Sequence, residues 1–362
     1  MAGFESALKG RKVLVTGASG FIGRPLVAAL VAAGAEVTAL GRTRHSAAPF
    51  RGQKVRCLTG AMGDPGAARA AVAGQEVIFN LAYDFRDTGA ANVAALETLL
   101  ASAEAEGRAR IVHTSSIVVY DDWPGGTLTE SSPMDRPGGS PYRQAKVAME
   151  RRLLGSPLPV AILQPTIVWG PGSSLWTDGF AEALLAGAVV LPEPEGLCQG
   201  VYVDDVVQAC LRVAALRDLG HERFIINGPE PFLWSALLDG YRKLLGRGEI
   251  RFAPAESLRP AVPHGAVPEP DHAPSAAARI SALGRRLIGR DRFEALVRAT
   301  KRRLKRSGEM RPDAHLYELM VAAGRCPAQR AADRFGYAPT FGLAQGLRDV
   351  APHLARLGQQ KR

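Results

Sequence analysis

The sequence predicts an α/β fold, a doubly wound parallel sheet with a smaller, discontinuous C-terminal lobe that holds the substrate. Three observations predict it. A glycine-punctuated turn near residue 17 sits between an apolar β-branched run and a helix-period stretch. Apolar runs then alternate with helical stretches up to about residue 165, the pattern of strands crossing over through helices. Finally, "VYVDDVVQACLRVAAL" returns the chain to the first lobe after it has left. With 362 residues, 46% of them hydrophobic, there is enough apolar material for two lobes. The expected division is residues 1–165 completed by about 198–228 for the first lobe, and 166–197 with 229–350 for the second.

In order, Val13–Val15 form a short apolar strand, and Gly17, Gly20 and Gly23 follow at Gly-x-x-Gly-x-x-Gly spacing. Leu26, Leu30 and Val31 recur at helical intervals, Pro25 falls in the first turn where its missing N–H costs little, Gly34 ends the helix, and "EVTAL" starts the second strand. "KVRCLTGAMGDP" reads as strand and turn, residues 67–73 as a helix and "EVIFNLAY" as a buried strand. A helix is expected from about Ala90 to Ala105, and "ARIVHTSSIVVY" as the next strand. The helix around "SPYRQAKVAME" places Tyr142 and Lys146 one turn apart on one face.

The glycine turn points to a dinucleotide. Gly17 permits a tight turn, Gly20 lets backbone amides approach a pyrophosphate, and Gly23 lets helix and sheet pack closely. The phosphates would rest on the helix N-terminus, where unpaired N–H groups and the macrodipole favour negative charge. At the end of the second strand the chain reads "LGRTR", with Arg42 and Arg44 where an NAD binder usually carries a carboxylate. Guanidinium groups there suit a 2′-phosphate, which favours NADP(H). An Arg42 stacked on adenine in an NAD enzyme is the alternative.

Cys57, Cys198, Cys210 and Cys326 lack Cys-x-x-Cys spacing, and the histidines are dispersed, so neither a metal site nor a disulfide framework is expected. No apolar run approaches bilayer length and the N-terminus shows no secretory pattern, so a soluble, cytoplasmic protein is expected. The formal charge of +10 is concentrated in residues 285–307, "RRLIGRDRFEALVRATKRRLKRS". A basic helix of this kind can face an anionic substrate or a membrane surface. No RNA-binding aromatic motif or zinc finger accompanies it, so no nucleic-acid partner is expected. Pro and Ala crowd residues 253–278, which reads as a loop or lid over the substrate lobe.

"TGASGFIG", "NLAY", Asn92 in "ANVAALETLL", "HTSSIVVY", "PYRQAK" and "LQPTIVWGPG" resemble, in order, the landmarks of extended short-chain dehydrogenases/reductases, the group that includes nucleotide-sugar epimerases, dehydratases and ketoreductases. The resemblance covers roughly residues 10–210 and implies a Rossmann-like fold. "VYVDDVVQA" and "ADRFGYAPTFGLAQGL" resemble later landmarks more weakly, and residues 250–330 match none. The resemblance implies that Ser116 is the active-site hydroxyl, with its neighbour Ser115 the second choice. It further implies that Tyr142 is the acid/base, that Lys146 binds the nicotinamide ribose, and that Asn92 supports the site. Pro165 and Thr166 would lie near the nicotinamide. The cofactor-contacting set drawn from the same motifs is Gly17, Ser19, Gly20, Phe21, Ile22, Gly23, Arg42, Arg44, Ala61, Met62, Leu81, Ala82, Tyr83, Asn92, Tyr142, Lys146, Pro165, Thr166 and Val168. Gln164 departs from the arginine that many members carry before the proline. A homodimer is usual for the proteins it resembles.

A phenol with a reference pKa near 10 is a poor base at neutral pH, and an ammonium one turn away favours its phenolate. Tyr142 could then take a proton from an alcohol or return it to a ketone, with Ser116 orienting the carbonyl oxygen. Dehydratases of the group carry an Asp-Glu pair beside the hydroxyl position, where this chain has Ile117 and Val118. The expected activity is therefore ketone reduction or secondary-alcohol oxidation, on a small anionic substrate for which a nucleotide-activated sugar is the first choice. The alternatives are a nucleotide-sugar epimerase that retains NAD, a reductase of a lipid-like or steroid-like ketone, and a non-catalytic dinucleotide-binding scaffold.

Overall fold

A computed structural model of the chain describes residues 6–121, 125–259 and 308–359. The basic segment 285–307 and the part of the Pro/Ala-rich stretch from residue 260 onward lie outside the described residues. The start of that stretch is not loop: a strand runs to Pro254 and a short helix follows over Ala255–Leu258.

The strands of the first lobe are β1 (Lys12–Thr16), β2 (Glu36–Gly41), β3 (Val55–Thr59), β4 (Val77–Asn80), β5 (Arg110–Thr114) and β6 (Val160–Pro165). Beyond them lie β7 (Ile167–Trp169), β8 (Gly187–Glu193), β9 (Leu197–Cys198), β10 (Gly200–Tyr202), β11 (His221–Ile226), β12 (Phe232–Leu233), β13 (Glu249–Pro254) and β14 (Gly308–Met310). Seven form one sheet in the order β11-β6-β5-β4-β1-β2-β3, with every pairing parallel. This is the doubly wound parallel architecture that the alternating pattern predicts.

The first-lobe helices are α1 (Gly23–Ala32), α2 (Pro65–Val72), α3 (Gly89–Glu106) and α4 (Pro141–Leu154), and α6 (Val203–Ala214) rejoins them after α5 (Asp178–Ala186) in the second lobe. Alternation along β1 sorts them into layers. Val13 and Val15 pack with Leu26, Leu30 and Val206 of α1 and α6, whereas Leu14 packs with Leu96, Leu99 and Met149 of α3 and α4. All three β1 residues are fully buried, and each such side chain contributes about 1.5–3 kcal/mol relative to exposure.

The second lobe places β8 between β13 and β14, all parallel. Around it pack α5, α7 (Trp234–Leu245), α9 (Ala314–Val321) and α11 (Leu343–Gln359), the label α8 going to the short helix Ala255–Leu258. Its core is aromatic, with Trp169, Phe180, Trp234 and Tyr241 fully buried together. Residues 329–337, which the sequence reading leaves with this lobe, pack instead on the large sheet. Ala331 of α10 (Gln329–Phe335) and Tyr337 join the cluster of α1 and α6, and the Tyr337 hydroxyl donates to the Asn227 carbonyl at 2.9 Å.

Two local terminations position the site. The run "ARIVHTSSIVVY" does not continue as strand: β5 stops at Thr114, and Ser116 caps a 3-10 turn over Ile117–Val119, its Oγ accepting from Val118 N–H at 3.4 Å. Helix α4 starts sharply because the Ser140 hydroxyl accepts from Arg143 N–H at 3.2 Å and Pro141 takes the first helical position. Tyr142, Lys146 and Glu150 therefore mark successive turns of one helix face.

Candidate active site

The glycine turn is a cradle that side chains would fill. Gly17 has φ +68°, and a Cβ there would lie 2.9 Å from Ala82 N. A Cβ on Gly23 would lie 2.2 Å from the Gly17 carbonyl oxygen, so backbone meets backbone where α1 leaves the sheet. The turn is braced from beneath: Thr16 Oγ1 donates to Asn80 Oδ1 at 2.7 Å and accepts from Ala82 N–H at 3.3 Å. Asn80 Nδ2 in turn meets His113 Nδ1 at 3.0 Å. His113 is fully buried, and its burial, with Lys146 adding to it, holds its pKa well below the usual imidazole value, so it stays neutral.

A cavity of about 450 Å³ opens above the turn at the C-terminal end of the parallel strands. Of the expected cofactor set, Gly17, Ser19, Gly20, Arg42, Ala61, Met62, Leu81, Ala82, Tyr83 and Asn92 line it. The close backbone approach at the glycine turn, the helix start and a cavity of this size fit a dinucleotide. Several residues lie off its wall. Gly23 packs on the turn, and Phe21 lines a separate cleft with Arg24 and Tyr202. Ile22 packs against both main core clusters. Arg44 is exposed at the start of a 3-10 turn over Arg44–Phe50. Pro165 ends β6, the Thr166 hydroxyl donates to Asn227 Oδ1 at 2.9 Å, and the Val168 carbonyl accepts from Ser173 Oγ at 3.0 Å.

The sequence reading missed Asp84 at the cavity rim. Its carboxylate pairs with Arg42 and, at 3.1 Å, with Arg86. Burial alone would raise its pKa, but the two arginines hold it below the usual carboxylate range. A carboxylate is thus present beside Arg42 after all, delivered from the loop after β4 and not from the end of β2. Asn92, expected to support the site, clamps this loop: its Oδ1 accepts from Asp84 N–H at 2.7 Å, and its Nδ2 donates to the carbonyls of Asp84 at 3.0 Å and Thr88 at 2.9 Å.

Tyr142 and Lys146, also in the expected set, lie off the cavity wall as well, and Tyr142 meets it through the Tyr83 ring, 4.9 Å away between centroids. Ser116 is the residue whose hydroxyl lowers the Tyr142 phenol's pKa, whereas Ser115 does the same for Glu150, so the two adjacent serines act on different neighbours. Burial pushes the Tyr142 phenol up to about 12, which keeps it protonated, while the Ser116 bond draws it down. Lys146 is buried and donates to the Thr114 carbonyl at 2.8 Å. Its ammonium lies 5.1 Å from the Tyr83 ring centroid and 5.8 Å from that of Tyr142. Burial lowers its pKa to about 8, and Glu150 raises it.

Phe85 was also missed. It is 77% exposed, yet its ring stacks on Tyr142 at 5.3 Å between centroids and touches Tyr83 at 4.9 Å. Two aromatic rings, Tyr83 and Phe85, therefore pack against the Tyr142 phenol ring. The signal in the sequence was the Tyr-x-Phe pair directly after "NLA". Among the described residues there is no cluster of His, Cys, Asp or Glu able to hold a metal, and no helix long and apolar enough to cross a membrane.

The sequence profile of the NAD dependent epimerase/dehydratase family matches residues 13–227, more than half of the chain. The chain belongs to this family. Membership makes it an enzyme of the nicotinamide-dependent oxidoreductase and epimerase type. A 2-alkyl-3-oxoalkanoate reductase of Stenotrophomonas maltophilia is 29% identical over 276 residues, which cover 71% of this chain and 82% of that one. A UDP-glucose 4-epimerase of Mycolicibacterium smegmatis is 32% identical over 245 residues, covering 60% of this chain and 77% of the relative. Among solved structures, the dTDP-glucose 4,6-dehydratase of Streptomyces venezuelae with NAD and TYD bound superimposes with a TM-score of 0.69 at 20% identity, covering 95% of this chain and 97% of that one.

Proposed function

We propose that this protein reduces a ketone borne on an apolar substrate, with NADP(H) in the cavity above the glycine turn. The observation that carries the reading is the exposed Phe85 ring stacked on the Tyr142 phenol, with the Lys146 ammonium 5.8 Å from the Tyr142 ring centroid. A nicotinamide bound there supplies a hydride to the carbonyl carbon. Tyr142 gives its proton to the carbonyl oxygen, which is why a phenol held protonated suits the reductive direction. Ser116 donates to the same oxygen and fixes its position. Lys146 faces the ribose and stabilises the phenolate that remains after the proton has left. The aromatic wall excludes water and supplies apolar contact at the edge of the reacting centre.

Dehydration lacks its acid and base, because Ile117 is buried in the core beside Ser116. The similarity to a reductase of 2-alkyl-3-oxoalkanoates supports an apolar chain near the ketone, in place of the nucleotide-activated sugar favoured by the sequence alone. The epimerase relative favours a second reading, reversible oxidation of a nucleotide sugar on retained NAD. Arg42 at the rim supports NADP(H) by offering a guanidinium to a 2′-phosphate, Asp84 being its partner without that phosphate. The test is consumption of NADPH and of NADH with a 2-alkyl-3-keto acid, alongside interconversion of UDP-sugars without added cofactor. NADPH oxidation with the keto acid is expected; sugar interconversion with no keto-acid reduction would overturn the reading.

A further inference from the structure

Helix α4 carries a buried carboxylate that the proposed reaction does not use. Glu150 is fully buried and sits one turn beyond Lys146 on the face that begins with Tyr142. Gln164 Nε2 donates to both of its oxygens, at 3.0 and 3.1 Å, and Arg223 Nε on β11 pairs with Oε2 at 3.0 Å. The orientation of the Gln164 amide is fixed from the other side, because the Tyr120 hydroxyl donates to its Oε1 at 2.7 Å. Burial, with Glu150 and Glu130 adding to it, pushes the Tyr120 phenol far above its ordinary value, so that hydroxyl remains a donor.

Glu150 thus meets an amide NH₂ and a guanidinium, groups with only protons to offer. A protonated carboxyl would turn a donor of its own toward these groups, whereas the ionised form accepts both Gln164 hydrogen bonds and attracts the Arg223 charge. Burial raises the Glu150 pKa above the usual carboxylate value, and the Ser115 hydroxyl, Gln164, Arg223 and Lys146 limit that rise. Gln164, a residue in the place where an arginine was expected, is fully buried and faces this carboxylate.

We propose that Glu150 is a positioning residue for the Tyr142–Lys146 pair: its buried negative charge, fixed by Gln164 and Arg223, keeps the Lys146 ammonium protonated in a site that would otherwise strip its proton. Glu150 and Lys146 form no ion pair, so the carboxylate acts through its field across one helical turn. The groups that face Lys146 are Tyr142 and Glu150 on its own helix, the Thr114 carbonyl and neutral His113 on β5, and Tyr83 on the loop after β4. Among these Glu150 is the one carboxylate. Lys146 titrates at about 8 with that charge in place, so reduction slows as pH rises through this value and the ammonium is lost. Without it the same limb moves to lower pH.

This inference rests on the proposed roles of Tyr142 and Lys146, and its test does not depend on turnover. The Lys146 pKa is read by NMR titration of ¹³C-labelled lysine in the full-length protein, its signal assigned by loss in Lys146→Met. Glu150→Gln should lower the Lys146 pKa by about 1–2 units, the size expected for a charge one helical turn away in a half-polar interior. Glu150→Asp should restore most of the shift. Glu150→Gln with Arg223→Gln removes both charged partners together, which protects the fold, and should move the pKa in the same direction. A folded Glu150→Gln protein with an unmoved Lys146 pKa overturns the proposal, as does a loss of thermal stability with no titration change. If the titration shifts as expected while no ketone is reduced, the proposed reaction fails and the positioning role stands.

Discussion

Phe85→Ala isolates the aromatic wall from the chemistry. An aromatic side chain carries roughly 150–250 Å² of surface, so a ring left 77% exposed offers about 150 Å² to a ligand. An alkyl chain covering half of it removes about 75 Å² from water, which at ~25 cal/mol per Å² contributes about 2 kcal/mol, or about 30-fold in kcat/KM. The change also deletes the stacking on Tyr142, a loss of about 0.5–1.5 kcal/mol that every substrate shares. The informative quantity is therefore the ratio of kcat/KM between a long-chain and a short-chain 3-keto acid, measured with saturating cofactor. That ratio should fall about 30-fold in the variant, while thermal stability and cofactor KM stay near wild type because the ring is exposed and off the cavity wall. An unchanged ratio would show that the chain of the substrate does not lie on Phe85, and the apolar-substrate reasoning would fail with it.

Four further outcomes are expected. Tyr142→Phe removes the proton donor and should lower turnover by about 10²–10⁴-fold while fluorescence titration shows cofactor binding intact; full activity would contradict the proton transfer. Arg42→Glu should move cofactor preference from NADPH toward NADH, read as the ratio of the two kcat/KM values, and a neutral effect in a protein that already prefers NADH would refute the assignment. Gly23→Ala places a Cβ 2.2 Å from the Gly17 carbonyl oxygen, so calorimetry should show a loss of about 1–3 kcal/mol together with weakened cofactor binding; an unperturbed variant would mean the turn is not a rigid cradle. Asp121→Ala strips the carboxylate from Arg143, whose side chain is only 10% exposed, and frees the N–H groups of Asp135 and Arg136 that Asp121 accepts at 2.8 and 2.9 Å. Urea unfolding should register a loss of about 3–5 kcal/mol, and a loss below about 1 kcal/mol would count against a buried pair.

The legible parts of this molecule were those set by local spacing. The continuous apolar run Val13–Val15 forecast a strand buried on both faces, as it is between α1 with α6 and α3 with α4, and the glycine triplet forecast a tight turn of close backbone approach. Tyr142 and Lys146 could be placed on one face because four residues make about one turn. What could not be read depends on which strands become neighbours. Arg223 reaches Glu150 because β11 pairs with β6, a register that no local pattern encodes. Gln164 looked like a departure weakening substrate contacts, yet β6 is buried along its whole length and its side chain never reaches the cleft. Similarly, the absence of a carboxylate after β2 favoured NADP(H), and Asp84, 42 residues away, supplies one at the same rim.

That rim explains why cofactor and substrate selection cannot be separated here. A single loop after β4, clamped at Asp84 and Thr88 by Asn92, presents Asp84 to Arg42 on the cavity side and the next residue, Phe85, to Tyr142 on the substrate side. The rim sets the Arg42 and Arg86 guanidinium groups against the carboxylates of Asp84 and Asp87, and Arg42 is half-exposed and so only moderately committed to its partner. A 2′-phosphate outbids a carboxylate for such an arginine through its greater charge and its bidentate geometry, and Arg86 remains to hold Asp84. If NADP(H) is the cofactor, as proposed, its selection would lie in the balance of Arg42, Arg86 and Asp84 together, and a change to that balance would reach Phe85, the next residue, whose ring stacks on Tyr142.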